Sequence, residues 1–367
     1  MAGIYIHIPF CASRCIYCGF YSTTGKEKYQ NRYTDALLKE YNIRKKYLEN
    51  ENIDTIYIGG GTPSILSEHN LRRLVDGIKG NPKEFTMECN PDDITQEFCY
   101  TLYNIGINRV SLGVQTFSDD RLRFLNRRHD SSQIVPAINA LRNAGIKNIS
   151  IDLMFGFPNQ TIEQWEKDIK TATSLNVEHI SAYSLMYEEG TRLAKMRDTG
   201  EAEEIDEETS VRMYDILIDT LTVKGYEHYE ISNFAKPGYH SIHNSNYWND
   251  TKYLGLGAAA HSYDGISRQW NVSDIRKYIE DIERGTIPME KEMIDEDTRY
   301  NDIITTALRT RNGIDLNRIS QKHLKYLTEN ARKSISDGLL CIDGNRLHLT
   351  RKGLYVSDSI MADLIWV

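Results

Sequence analysis

The sequence predicts an α/β protein: a partial (β/α)6 barrel followed by a smaller C-terminal α+β domain of winged-helix type. Two observations carry this reading. Through the first 230 residues, short β-type runs alternate with helix-length polar–apolar stretches across short loops, the pattern of a parallel sheet with helical crossovers. Chemically suggestive residues also recur where the predicted strands end, and parallel α/β folds bind ligands at that edge.

The elements follow in order. Ile4–Ile8 reads as the first strand, followed by a helical stretch over Lys28–Leu48. Thr55–Ile58 with Ser67–Ile78 forms the second unit, and Glu84–Cys89 with Thr95–Asn104 the third. Arg109–Val114 leads into two helical patches, Asp119–Leu125 and Ser132–Ala144. Asn148–Phe155 precedes the helix Thr161–Leu175, and His179–Leu185 precedes the helix Glu207–Lys224. Six units are too few for a closed eight-fold barrel, and the strand-end residues favour the partial barrel over an open doubly wound sheet. The acidic run Glu201–Glu208 is expected in solvent at a helix start, where the dipole favours negative charge.

Tyr226–Asp274 changes character, with aromatics, histidines, asparagines and glycines in place of helical periodicity. Beyond Asp295 the helical pattern resumes. It ends in a hairpin, Leu339–Ile342 and Arg346–Leu349, turned through Asp343-Gly344-Asn345. The expected organisation is a barrel over 1–235, a connecting region over 236–290 that completes the site, and a C-terminal domain over 291–367.

The chain of 367 residues is 40% hydrophobic, enough to bury a core against chain entropy. Its net charge of −8 argues against whole-chain binding to nucleic acid or anionic lipid. The stretch Arg311–Tyr355, with nine basic and four acidic residues, runs against that trend. The start, MAGIYIHIPFC, lacks a basic n-region, and no stretch approaches the roughly 20 apolar residues of a membrane span. A reduced cytoplasmic protein is expected, reaching a membrane only through a partner.

Three of the six cysteines, Cys11, Cys15 and Cys18, fall on one loop after the first strand. A cubane iron–sulfur cluster takes thiolates at its corners, and this spacing lets one loop supply three. Zinc competes, but its structural sites usually use four ligands, often as paired Cys-x2-Cys elements, and no second pair is present. Cys89, Cys99 and Cys341 need no explanation beyond packing.

The Cys-x3-Cys-x2-Cys run after the first strand resembles the radical S-adenosylmethionine (SAM) superfamily. That resemblance implies a [4Fe-4S] cluster whose open iron is chelated by SAM, which is cleaved after electron transfer. Further motifs resemble the oxygen-independent coproporphyrinogen oxidase family: Tyr5-Ile6-His7-Ile8-Pro9-Phe10-Cys11, Gly59-Gly60-Gly61-Thr62-Pro63, Glu88 with Asn90-Pro91, Gly113–Phe117 and Asp152–Pro158. The resemblance implies that Gly60, Gly61 and Thr62 meet the methionine end of SAM and that Glu88 accepts its ribose hydroxyls. It likewise implies that Gln115, Arg127 and Asp152 line a second SAM or propionate site. Tyr5 and Tyr17 are expected to flank the cluster and SAM. Gly255-Leu256-Gly257-Ala258 is expected to close the SAM pocket.

Taken alone, each piece has a plainer reading: a tight turn, a solvated carboxylate, a surface arginine, a packed tyrosine. Two departures separate the chain from the oxidase. Cys18-Gly19-Phe20 stands where that enzyme has a CxC, and only ten residues precede the cluster motif. Both features resemble the shorter haem-chaperone group of this family, as does His243-Asn244-Ser245-Asn246-Tyr247-Trp248. In that reading His243, Tyr247 and Trp248 associate with haem, and His240 and His261 are further candidate ligands. A polar loop histidine with packed aromatics is the competing reading of that motif.

The implied function is a haem chaperone that binds a cluster, SAM and haem and serves an acceptor protein, with an electron donor for the cluster. Whether it turns SAM over is a separate property that the motifs leave open. Oxidative decarboxylation of coproporphyrinogen is the alternative. RNA modification is a third reading, encouraged by the basic C-terminal stretch and opposed by the net acidity.

Overall fold

The computed structural model describes residues 1–48, 51–78 and 80–367. Its frame is six parallel strands in sequence order: β1 (Ala2–Ile8), β2 (Ile53–Gly60), β3 (Glu84–Cys89), β4 (Arg109–Gln115), β5 (Asn148–Phe155) and β6 (His179–Ser184). Their crossovers carry α1 (Gln30–Arg44), α2 (Glu68–Gly77), α3 (Gln96–Asn104), α4 (Asp119–Phe124), α5 (Ile134–Asn143) and α6 (Ile162–Ser174). The strands are buried almost throughout, as expected of a parallel sheet covered on both faces. Helix starts follow local chemistry. Ser67 and Thr95 cap α2 and α3, and Thr161 forms a capping box with Gln164 at α6.

After β6 come α7 (Arg192–Asp198), which the periodicity did not signal, and α8 (Glu207–Val223) with Asp206 as its cap. β7 (Glu227–Glu230) and β8 (Asn233–Ala235) then add an antiparallel hairpin to the β6 edge. The aromatic stretch thought to lack helical structure contains α9 (Ile242–Trp248). Seven residues are too few to show a period, so this helix is visible only in three dimensions.

β9 (Tyr253–Leu256) runs parallel to β1 on the side away from β2, extending the parallel array. β10 (His261–Tyr263), β11 (Ser267–Asn271), α10 (Ile275–Glu283) and β12 (Met289–Met293) follow, the strands completing a 12-stranded sheet. The junction is tied by Glu40 on α1, which accepts from Arg44, Asn271 and Tyr278 at 2.7–2.8 Å and from the backbone of Gly257 at 2.9 Å.

The C-terminal domain comprises α11 (Glu296–Ala307), β13 (Ile314–Asp315), α12 (Gln321–Ser336), β14 (Leu340–Asp343), β15 (Arg346–Leu349), α13 (Arg351–Leu354) and α14 (Ser357–Leu364). Its three strands form a separate sheet over their own core of Tyr300, Ile304, Leu327, Leu347 and Ile360. Arg351 docks it on α8 through Asp215 and through Asp219 at 2.7 Å. No helix among the described residues is long and apolar enough to cross a membrane.

Candidate functional site

The carboxyl ends of β1 to β6 surround a cavity of about 370 Å³, lined by Cys11, Cys15, Tyr17, Cys18, Gly60, Gly61, Thr62, Glu88, Gln115, Arg127 and Asp152. The structure thus brings together eleven residues that the sequence reading singled out at positions far apart in the chain. Asn90, Ser111, Gly113, Met154 and Tyr183 complete much of the wall.

The thiols occupy the loop that leaves β1. Thr62 Oγ1 donates to Cys11 Sγ at 3.5 Å, and Arg127 Nη1 donates to Cys15 Sγ at 3.5 Å. Burial pushes the Cys11 and Cys18 thiols above their ordinary range. Among the described residues no three His, Cys, Asp or Glu side chains gather round one ion position. A group taking one thiolate at each of three corners suits this spread donor set.

The glycine run is a cradle. A Cβ on Gly59 would lie 3.0 Å from the Glu88 carboxylate, and one on Gly61 only 2.9 Å from Cys11 Sγ. Gly60 has φ of +114°, and a Cβ there would meet the His7 ring at 2.7 Å. The backbone can therefore approach a ligand where no side chain fits. Gln115 ends β4 at φ 66°, an uncommon conformation for a side-chain-bearing residue, beside a register shift between Leu112 and Gln115.

Glu88 accepts from Tyr57 Oη at 2.8 Å and from the backbone N–H of Gly60 at 3.0 Å. Burial raises its pKa to about 7 against the pull of the Tyr57 hydrogen bond, with Asp152 adding to the rise. Asp152 is raised to about 6, again first by burial, against a hydrogen bond from Ser181. Arg127 donates to Asn90 Oδ1 at 2.6 Å and to the Gly113 carbonyl at 2.7 Å, while its Nε is buried without a partner. A Cβ on Gly113 would stand 2.9 Å from Arg127 Nη2. These carboxylates, this cation and the open backbone suit a zwitterionic, hydroxyl-bearing ligand.

Tyr5 lies outside this cavity lining, with its hydroxyl 3.1 Å from His7 Nδ1 and its ring beside Tyr57. The glycine-rich segment at Gly255–Ala258 also lies outside it, packed against α1: the N–H of Ala258 donates to Tyr33 Oη at 2.9 Å.

The His243–Trp248 motif stands apart from the residues lining the thiol cavity. It forms α9, whose start is held by Glu84 at the opening of β3, whereas Glu88 closes that strand. His243 is 2% exposed, stacks on Tyr57 at 5.1 Å, and meets Thr55 Oγ1 at 2.9 Å and Tyr247 Oη at 3.0 Å. Both ring nitrogens are engaged, so His243 as placed offers no lone pair to a haem iron. Trp248 receives the Arg309 guanidinium 5.3 Å from its ring centroid, joining the two domains. His240 pairs with Glu227 at 2.8 Å, and His261 stacks on Trp270. The sequence reading missed Tyr57 and Asn90 as partners in the site. Tyr57 sits at an inward position of a strand otherwise rich in isoleucine, a signal that was there to find.

A barrel with three thiols on the loop after β1, beside a glycine cradle, defines a site of radical SAM type. Residues 5–172 match the model of the radical SAM superfamily, and residues 294–356 that of the HemN C-terminal domain. This superfamily implies a [4Fe-4S] cluster and SAM. The chain belongs to the haem chaperone HemW family: it is 35% identical to heme chaperone HemW of Bacillus subtilis (strain 168), over 98% of each chain. It is 33% identical to heme chaperone HemW of Lactococcus lactis subsp. lactis (strain IL1403), over 97% of this chain and 95% of that one. The structure of coproporphyrinogen III oxidase (HemN) from Escherichia coli superposes with a TM-score of 0.86 at 24% identity, covering 99% of this chain and 90% of that one, which shows the shared fold.

Proposed function

We propose that this protein is a cytoplasmic haem chaperone that carries a [4Fe-4S] cluster, binds SAM and passes haem to an acceptor protein. Cys11, Cys15 and Cys18 hold the cluster. Gly60, Gly61 and Thr62 receive the methionine end of SAM, and Glu88 its ribose. Gln115, Arg127 and Asp152 line the remaining wall, with Tyr17 over the thiols. The cluster supplies electron transfer to bound SAM; the chain's own residues orient the ligand, keep water from it and stabilise thiolate charge.

One observation carries the reading. Cys11, Cys15, Cys18 and the Gly60–Thr62 segment line one cavity, as a cluster loop beside a SAM cradle would, yet Phe20, 73% exposed, occupies the position where the oxidase pattern has its further cysteine. The full-length likeness to proteins named haem chaperones points the same way.

The test is anaerobic reconstitution with iron and sulfide, followed by haem titration with and without SAM. The expected result is a cluster spectrum that Cys15→Ser abolishes, together with stoichiometric haem uptake. An unchanged cluster spectrum in Cys15→Ser overturns the cluster assignment. Conversion of coproporphyrinogen to protoporphyrinogen by the same preparation would favour the oxidase instead.

A further inference from the structure

The inside of the barrel stays polar beneath the thiol cavity, and strand register fixes which residues share it. Thr55 and Tyr57 pair with Glu84 and Thr86, Thr86 and Glu88 with Arg109 and Ser111, and Ser111 with Ser150. Paired residues of a parallel sheet point to one side, as does every second residue along a strand. Glu88, Ser111 and Asp152 line the cavity, so Arg109 points into the barrel two residues beneath Ser111. It is 1% exposed. Among the described residues it is the one lysine or arginine at the inward positions of the six parallel strands. No carboxylate among them lies within ion-pair distance of it, and its Nε is buried without a hydrogen-bond partner.

A guanidinium buried in this way is costly unless opposite charge stands near it. Three carboxylates share the inner face. Glu84, at the opening of β3, spends both oxygens on α9: Oε2 accepts the Ile242 N–H and Oε1 that of His243. Glu88 and Asp152 stand at the other end, on the two strands that flank β4, with Ser111 Oγ donating to Asp152 Oδ1 at 3.4 Å. The remaining titratable groups here are uncharged. Burial holds the proton on Tyr5, Tyr57 and Tyr183 of β1, β2 and β6, on Tyr229 of β7 and on Tyr247 of α9. It keeps His7, His179 and His243 neutral. Arg127, the second cation, acts on Asp152 from the cavity wall. Burial raises both the Glu88 and the Asp152 carboxyl, and the charge of Arg109 opposes that rise at each.

Resting on the SAM reading above, we infer that Arg109 is a positioning residue of the SAM site: a cation set beneath the cavity that keeps Glu88 and Asp152 ionised, so that Glu88 can accept the ribose hydroxyls. Arg109 is not among the residues lining the cavity, so it acts through these carboxylates and not on the ligand.

The test compares full-length wild type with Arg109→Gln and Arg109→Lys. SAM binding to the cluster-loaded proteins is measured by calorimetry from pH 6 to pH 9. The Glu88 and Asp152 carboxyl carbons are titrated by NMR in the cluster-free, SAM-free proteins, with Glu88→Gln and Asp152→Asn giving the assignments. Arg109→Gln should move the Glu88 titration up by about one pH unit. SAM binding should then be about fivefold weaker at pH 7, its rise displaced to between about pH 7 and pH 9. Arg109→Lys, which keeps the charge, should recover most of that loss. SAM carries a sulfonium and a net positive charge, so an Arg109 acting directly on the ligand would repel it, and Arg109→Gln would bind more tightly at every pH. That result overturns the role. So does a folded Arg109→Gln with wild-type carboxyl titrations and pH profile, whatever its melting temperature, which would put Arg109 in the service of Glu84 and α9. If Arg109→Gln does not fold, Arg109→Gln combined with Glu88→Gln and Asp152→Asn decides: the charges then leave together, folding should return, and continued failure overturns the role. Wild type that binds no SAM overturns the SAM reading and this role with it, whereas normal binding with unmoved titrations overturns the role alone.

Discussion

Arg127 holds one guanidinium nitrogen 3.5 Å from Cys15 Sγ while another bridges Asn90 Oδ1 at 2.6 Å and the Gly113 carbonyl at 2.7 Å. Asn90, just after β3, and Gly113 in β4 thus aim a fixed positive charge at Cys15, one of the thiols proposed to hold the cluster. Positive charge near the sulfurs favours the reduced cluster, so its loss should lower the reduction potential. For Arg127→Met we expect a midpoint at least about 60 mV more negative, the one-electron equivalent of about 1.4 kcal/mol. Arg127→Lys should restore part of the shift. EPR-monitored redox titration of the reconstituted proteins decides it, and an unmoved midpoint in Arg127→Met would show that the charge is screened from the cluster.

Glu88 supplies a pH dependence. In the free protein its pKa is raised to about 7, chiefly by burial. If its carboxylate accepts the ribose hydroxyls, binding selects the ionised form and affinity rises with pH. A pKa near 7 implies a gain of about tenfold in SAM affinity between pH 6 and pH 8. Glu88→Gln keeps an acceptor for the Gly60 N–H, and its amide can donate to Tyr57 Oη. It should therefore fold and bind more weakly, with no such slope. Calorimetric titration at the two pH values on cluster-loaded protein is the measurement; equal affinities for the unaltered chain would remove Glu88 from the ribose site.

What was legible in the sequence follows from what leaves a local mark. The six strand–helix units show because burial on both faces of a parallel sheet makes continuous apolar runs, as in β2 and β5. The thiol loop and Gly59–Gly61 show because metal ligation and close backbone approach restrict residue type over a few positions. The His243 environment left no such mark. Its partners Thr55, Tyr57 and Glu84 lie about 160 to 190 positions away, on strands that read only as core. The hairpin β14–β15 was readable from Asp343-Gly344-Asn345, but the pairing of Cys341 with His348 across it depends on register, which turn chemistry alone did not reveal.

Glu84 gives α9 its anchor. Only 2% exposed, it accepts the backbone N–H groups of Ile242 and His243, each at 2.8 Å, at the helix start. This is a carboxylate cap supplied from another element, acting on donors the short helix leaves unpaired. Glu84→Ala removes it and leaves two N–H groups without that partner, the one on His243 buried, so a loss of about 1–3 kcal/mol is expected. Glu84→Gln, retaining one acceptor, should cost about half as much. Chemical denaturation gives the totals, and hydrogen exchange should show faster opening confined mainly to 242–248. Exchange rising equally across the barrel would mean that Glu84 acts on the sheet rather than on the helix.

Four enclosed imidazoles set the acid limit of the fold. His7, His129, His179 and His243 are each no more than 5% exposed. Burial lowers His7 and His129 to about 4 and His243 to about 3, with Arg109 adding to the effect on His243, and it depresses His179 well below its ordinary range. The unfolded chain protonates these groups near pH 6.5, whereas the folded chain keeps them neutral until well below pH 5. The unfolded state thus binds more protons in that window, and stability falls as pH drops below about 6.5, by up to about 1.4 kcal/mol per pH unit for each group. Glu88 and Asp152 act in the opposite sense. Their raised values, about 7 and about 6, let the folded chain take up protons before the unfolded chain does and offset part of the loss. The net expectation is a decline of about 3–4 kcal/mol from pH 6.5 to pH 5. In Glu88→Gln, which lacks one opposing group, the decline should steepen by about 1.4 kcal/mol per pH unit. Urea unfolding of the cluster-free protein at pH 7, 6 and 5 measures both slopes. Identical slopes for the two proteins would mean that the Glu88 carboxyl titrates alike in the folded and unfolded chains.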